Sequence, residues 1–258
     1  MNNINLKNTA EELLDTFFQA GKIAKEICKR GVKVAIKPDK SPVTDGDLAV
    51  DKILKAKIQN LTPHITIISE ETVNINDDNK NQDFWLIDPI DGTKDYIKKK
   101  DEYTLNAALV INSKPAIGII YAPAKDRLFF SYGKNNAYEI SNGKTTRLTC
   151  EKKNKHKIIG LENSGTTPNE VLNIYEKYKA SEKIKMSSSI KFCILAAGEA
   201  DIYAANARAF EWDIAAGHAI LEHAGGSLTT YEEKKISYGK KNYKNLPIIA
   251  KRALILEK

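Results

Sequence analysis

The segment Trp85-Leu86-Ile87-Asp88-Pro89-Ile90-Asp91-Gly92-Thr93-Lys94-Asp95-Tyr96 constrains this chain more than any other. Its first part, with Phe84, reads as a buried apolar strand. Pro89 has no N–H to give to a ladder, so strand pairing is expected to stop there. Gly92 admits a backbone conformation that other residues resist. Asp88 and Asp91 lie three apart in a turn, so their carboxylates can converge on one cation. Oxygen-only ligation selects a hard ion such as Mg2+. A helix starting near Thr93 would offer N–H groups to a phosphate. A strand end with an Asx turn and a helix cap uses the same residue types for local reasons alone. The segment therefore gains its meaning from the acidic residues around it.

Three further acidic clusters accompany it. Ser69-Glu70-Glu71 follows the strand-like Ile65 to Ile68 and places charge at a sheet rim, where a solvated pair is the bland alternative. Ser41 to Asp47 precedes a helix, and a cap with acidic first-turn residues accounts for it locally. Glu211 to Ala219 opens another helix with Asp213 near its start. Small residues at 215, 216 and 217 allow close packing there, while Trp212, Ile214, Ile220 and Leu221 read as core.

The remaining pattern is mixed α and β. Thr9-Ala10-Glu11-Glu12 has the form of a capping box. Leu13, Phe17, Ala20, Ala24 and Ile27 then recur at helical spacing up to Gly31. A second helix carries Val50, Leu54, Ile58 and Leu61 on one face. From Tyr103 to Leu148 the pattern is mostly β, with a hairpin turn at Asn142-Gly143. Helices are expected over Pro168 to Tyr178, Ser189 to Gly198 and Glu211 to Ala224. Strands are expected over Lys157 to Leu161, Asp201 to Ala204, Pro247 to Ala250 and Ala253 to Leu256. A composition shift near residue 150, with the polar run Glu151 to Lys157, divides the chain into 1–150 and 151–258.

Composition narrows the class of function. The 40 basic residues (35 Lys, five Arg) against 33 acidic ones leave a net charge of +7, which points to anionic partners. A nucleic-acid module would cluster Arg and stacking aromatics, whereas here Arg is scarce and Lys is scattered. Cys28, Cys150 and Cys193 have no metal or disulfide spacing, and free thiols fit a cytoplasmic protein. No secretory signal and no apolar run of the ~20 residues needed to span a bilayer is visible. Gly143-Lys144-Thr145 lacks the earlier glycine of a P-loop, and His64, His156, His218 and His223 show no zinc spacing.

Together the four acidic clusters resemble the inositol monophosphatase-like superfamily of metal-dependent phosphatases. Trp85 to Tyr96 is similar to its first signature and Trp212 to Gly226 to its second, in the same order, with Glu70-Glu71 and Asp47 ahead of them. The 3′(2′),5′-bisphosphate nucleotidase branch is the nearer match. Lys37 to Thr44 resembles its K-x-D-x-SPVT segment, Tyr103 to Asn106 its E-[FY]-T-x-N strand, and Ser188 to Cys193 its SS-x-KFC helix start. One stretch departs from the branch's Pro-Arg-Phe-Gly-Pro-like segment, which borders the pocket in the family. Here Ala205 stands at the arginine position, and Arg208 follows three residues later.

The resemblance implies a layered αβαβα sandwich of the inositol monophosphatase and fructose-1,6-bisphosphatase type, an α/β (α+β) fold. It implies a phosphomonoester hydrolase using two or three Mg2+ ions, with a site between the two halves. Glu70, Asp88 and the Ile90 carbonyl would bind one ion, and Asp88, Asp91 and Asp213 another. Glu70 and Thr93 would hold and deprotonate the attacking water, with Asp47 supporting Thr93. Gly92 and Thr93 amides would cradle the phosphate, and Ser188 and Lys191 would meet the rest of the substrate. The substrate implied first is adenosine 3′,5′-bisphosphate, giving AMP and phosphate, with an inositol or sugar monophosphate as the alternative. A lithium-sensitive monomer or homodimer is the corresponding family expectation.

Overall fold

Helix α1 (Leu6–Arg30) buries Leu13, Phe17, Ala20, Ala24 and Ile27 along one stripe and stops at Gly31, whose φ is 97°. It begins before the Thr9 box. Asn5 is the N-cap and accepts the Asn8 amide through its side chain, which leaves Thr9 inside the helix. Asparagine caps at least as well as threonine, and the earlier start lengthens the helix. Helix α2 (Asp45–Leu61) is capped by Thr44, whose hydroxyl accepts from the Gly46 and Asp47 amides. The Asp47 carboxylate reciprocates by accepting the Thr44 N–H at 2.7 Å. The hairpin β1 (Val34–Ile36) and β2 (Pro42–Thr44) joins the two helices.

This computed structural model describes residues 4–75, 82–151 and 157–252. Residues 152–156 of the expected exposed run, and the expected strand Ala253 to Leu256, lie outside the described residues.

The larger sheet has seven strands in sequence order. They are β3 (Thr66–Ser69), β4 (Phe84–Asp91), β5 (Thr104–Ile111), β6 (Lys114–Ala122), β7 (Arg127–Ser131), β8 (Ala137–Ser141) and β9 (Lys144–Arg147). Asn142 and Gly143 form the β8–β9 turn, both with positive φ, as a tight hairpin demands. Pro89 does not end β4. Pairing with β5 breaks after Asp88–Asn106 and resumes at Asp91–Thr104, so the missing N–H is absorbed in a local irregularity of the ladder. Strand β6 shows the two-sided burial of a covered sheet. Ile117, Ile119 and Tyr121 join the cluster with α1 and α2, while Ile120 and Ala122 join the opposite one.

The smaller sheet has the order β11-β10-β12-β14-β13. Its strands are β10 (Ile159–Glu162), β11 (Glu182–Lys185), β12 (Ile202–Ala205), β13 (Ser227–Thr230) and β14 (Ile248–Lys251). Between the sheets lie α5 (Ile190–Ala196) and α6 (Glu211–His223). One apolar cluster runs from Leu86 and Ile120 of the larger sheet, through Leu195 and Ile214, to Tyr203 and Ala250 of the smaller. Helix α4 (Asn169–Lys177) packs Val171 and Tyr175 against Ile202, Ala204 and Ile249. With the short α3 (Thr93–Ile97), the layers read α, β, α, β, α, as expected.

Candidate active site

Strand β4 and the first turn of α6 bring charge together at one point. Glu70 follows β3, Asp88 lies in β4, and Asp213 opens α6. One carboxylate oxygen from each lies within 4.8 Å of the others. Asp88 Oδ1 is buried and has no hydrogen-bond partner among the described residues. Asp213 Oδ2 accepts the Phe210 N–H at 2.7 Å. Burial, then repulsion from Glu70, Asp91 and Asp213, holds Asp88 well above the usual carboxylate range. Burial, then Asp91 and Glu70, does the same to Asp213. Buried like charges at this spacing are costly unless a cation or protons intervene. An oxygen-only donor set with an unpartnered buried oxygen at its centre fits a hard divalent ion.

Asp91 stands outside that tightest trio. Its Oδ2 accepts the Ser189 N–H, so the entrance to α5 is tied directly to β4. Burial raises the Asp91 pKa against the pull of Lys191 and the Ser189 amide. Ser189 Oγ donates to Asn106 Oδ1 at 2.8 Å and lies 2.8 Å from Thr104 Oγ1. Asn106 is the cross-strand partner of Asp88. Sequence reasoning singled out Ser188 and passed over Ser189, Thr104 and Asn106. The signal available was the Ser-Ser pair and the polar Thr and Asn within a buried strand.

Thr93 Oγ1 lies 3.0 Å from the Ile90 carbonyl and 3.3 Å from Asp47 Oδ1, so its single proton is directed to one of these acceptors. Burial raises the Asp47 pKa. Gly92 precedes α3 with φ 95°, and a Cβ there would stand 2.8 Å from the Glu102 carbonyl, so a side chain is excluded twice over. Lys37, in the hairpin loop, had no assigned role. Its Nζ donates to Glu70 Oε1 at 3.0 Å and Glu71 Oε1 at 2.8 Å. Burial alone would lower the Lys37 pKa, but Glu70 and Glu71 outweigh it and the net shift is upward. Burial pushes Glu71 up to about 7 in spite of Lys37.

Lys191 is 3% exposed and belongs to the interior. Its Nζ donates to the Ser188 carbonyl at 2.6 Å and the Met186 carbonyl at 3.3 Å, and lies 5.1 Å from the Tyr203 ring centre. Burial lowers its pKa to about 8. Ser188 precedes Ser189, the N-cap of α5. It has φ 60° and a buried Oγ without a partner among the described residues. Both residues line a cavity of about 200 Å³ with Asp91, Tyr203, Arg208 and Asp213. A second, of about 380 Å³, is lined by Glu70, Asp91, Gly92, Thr93, Ser188 and Arg208. Asp47, Asp88 and Ile90 are buried and line neither.

The profile of the inositol monophosphatase family matches residues 5–255. The 3′(2′),5′-bisphosphate nucleotidase CysQ of Buchnera aphidicola is 37% identical over 209 residues, covering 80% of this chain and 78% of that protein. The Salmonella typhimurium protein of the same name is 31% identical, covering 80% and 83%. The crystal structure of CysQ from Bacteroides thetaiotaomicron superposes with a TM-score of 0.83 at 29% identity, over 98% of this chain and 99% of that one. Among the described residues no helix is long and apolar enough to cross a membrane.

Proposed function

Since the chain belongs to the inositol monophosphatase family and is a phosphatase, we propose that it is a Mg2+-dependent 3′(2′),5′-bisphosphate nucleotidase, hydrolysing adenosine 3′,5′-bisphosphate to AMP and phosphate. The observation that carries the reading is the convergence of Glu70, Asp88 and Asp213 beside a cavity whose cations are Lys191 and Arg208. The names of the relatives at 37% and 31% identity support the substrate.

Glu70, Asp88 and the Ile90 carbonyl would hold one ion, and Asp88, Asp91 and Asp213 a second, with Asp88 shared. Bound there, Mg2+ would neutralise the phosphoryl oxygens and acidify a water. Thr93 donates its proton inward to Ile90 or Asp47, which leaves its oxygen lone pairs to accept from that water. Glu70 takes the proton as the water oxygen attacks phosphorus; the bond to the ester oxygen breaks, and that oxygen leaves with the electron pair and takes a proton from solvent to become the AMP hydroxyl. Asp47 holds Thr93 in place. The Gly92 and Thr93 amides receive phosphate oxygens, and Lys191 with Ser188 faces the remainder of the substrate. Two of the three Lys191 protons are already donated to carbonyls, which keeps the ammonium in position.

Cys28 and Cys193 are free thiols, as work in the cytoplasm would have them. Lithium should inhibit where it can take the place of an Mg2+. The test is phosphate release with Mg2+ from adenosine 3′,5′-bisphosphate, inositol 1-phosphate and fructose 1,6-bisphosphate in parallel. The nucleotide should be turned over fastest. Equal or faster turnover of the inositol ester refutes the nucleotidase reading.

A further inference from the structure

We propose that Arg208 selects substrates carrying a second anionic group, by gripping that group with its guanidinium beside the carboxylate site. The proposal rests on the phosphatase reading above and assigns a specificity-determining residue that the reading lacks.

Arg208 lies in the loop between β12 and α6, between Ala207 and Ala209. The loop is tied on both flanks. On one side Tyr231 donates its hydroxyl to Asn206 Oδ1 at 3.0 Å. On the other, the Ala209 carbonyl accepts from the Asn245 backbone N–H at 3.1 Å and from its side chain at 3.3 Å. Phe210 also bridges to Lys244. The root of the side chain is therefore fixed. The guanidinium, in contrast, is exposed and makes no hydrogen bond or ion pair with any described residue.

Its surroundings show what such a cation is for. Arg208 borders both cavities at the site, one walled by Asp91 and Asp213, the other by Glu70 and Thr93. Its charge reaches the interior, where it favours the ionised form of Asp213 and opposes the charge on Lys191. Yet it pairs with none of the carboxylates. Lys191 has two of its three donors committed to the Ser188 and Met186 carbonyls, whereas the five Arg208 donors are open. A planar, permanently charged fork on a fixed root matches two oxygens of a phosphate. The phosphoryl group to be cleaved belongs to the carboxylate cluster, so the group left for Arg208 is a second one on the same molecule. A monoester without it leaves the guanidinium to water.

The experiment compares adenosine 3′,5′-bisphosphate with adenosine 3′-monophosphate, which differ only in the 5′-phosphate. Arg208→Ala should lower kcat/KM for the bisphosphate at least about tenfold more than for the monophosphate, mainly through KM, as loss of a charge-assisted hydrogen bond requires. Arg208→Lys should recover part of the difference, because it keeps the charge and loses the fork. Thermal melting of both variants should match the wild type, since the side chain has no partner to lose. Equal losses on both substrates, or no loss on either, overturn the proposal. Should the wild-type protein prefer inositol esters, the nucleotidase reading falls on its own. The Arg208 proposal is then decided by the same comparison between inositol 1,4-bisphosphate and inositol 1-phosphate.

Discussion

Gly118 sits in β6 on the face of the larger sheet that meets α6. A Cβ there would stand 2.3 Å from the Ala216 carbonyl oxygen, 2.8 Å from Ala219 Cβ and 3.1 Å from the Ala216 carbonyl carbon. Ordinary contact begins near 3.4 Å, so Gly118→Ala requires α6 to retreat by about 1 Å. The nearest obstacle is helix backbone, and no side-chain rotation relieves it. Movement of α6 is further limited by Phe192 of α5, against which Gly217 already lies too closely to admit a Cβ. Overpacking of this kind costs about 1–3 kcal/mol, which for a protein of this size lowers Tm by about 2–12 °C. The larger effect is on catalysis. Asp213 rides on α6, three residues before Ala216, and its place in a cluster only 4.8 Å across depends on the helix. Misplacing a catalytic group by about 1 Å costs on the order of 100-fold. The assay is kcat/KM at saturating Mg2+ alongside a melting curve and a far-ultraviolet circular dichroism spectrum. The variant should keep its spectrum, melt lower and lose activity far beyond its loss of stability. Activity within about threefold of wild type, with Tm unchanged, would refute the reasoning that β6 sets the position of Asp213.

Other perturbations probe the charge cluster and a buried histidine. Mg2+ at about 100 times its Kd should stabilise the protein by roughly 2.7 kcal/mol, seen as a raised Tm, and an unchanged Tm would contradict metal binding. Asp88→Asn removes a buried like charge, so in EDTA it should melt no lower than wild type, while the Mg2+-induced rise disappears. Asp91→Asn should reduce Mg2+-dependent turnover by more than about tenfold, and a smaller loss would count against a two-ion site. His223 accepts the Gly133 N–H at 3.1 Å, lies 2.9 Å from Ser131 Oγ, and is held neutral by burial, which takes its pKa down to about 4. A base with a lowered folded pKa binds more protons when unfolded. Its contribution is therefore complete above about pH 6.5 and lost as pH falls towards 4, by about 2 kcal/mol at pH 5. Raised carboxyls such as Glu71 act in the opposite direction over the same range, so the loss is read as a difference: urea denaturation at pH 7 and 5 should show the wild type losing about 2 kcal/mol more than His223→Gln.

The layering was legible because periodic burial was. The α1 stripe at Leu13, Phe17, Ala20, Ala24 and Ile27, and the alternating faces of β6, are local patterns with one physical cause. Strand β11 carries no such signal, since every residue of it is exposed and no alternation marks it. The start of α1 was misplaced because Asn5 and Thr9 are both competent caps, and the choice between them is a small energy difference. Proline chemistry is local and points to a stop at Pro89, whereas resumption of the ladder at Asp91 depends on β5 lying alongside.

Asp88 and Asp91, three apart in a turn, point to a hard cation from residue type and spacing, and the resemblance to the inositol monophosphatase-like superfamily adds Asp47, Glu70, Thr93 and Asp213. Which oxygens meet was decided elsewhere. Residues 70, 88 and 213 converge only because two sheets enclose α6 in one core, and glycines 118 and 217 set its depth. The tie of Ser189 to Asp91, the bridge from Lys37 to Glu70 and Glu71, and the burial of Lys191 likewise join segments far apart in the chain. Pairing and desolvation across such distances are properties of the packed molecule. No local pattern encodes them, since the energy of each contact depends on what the rest of the chain brings against it.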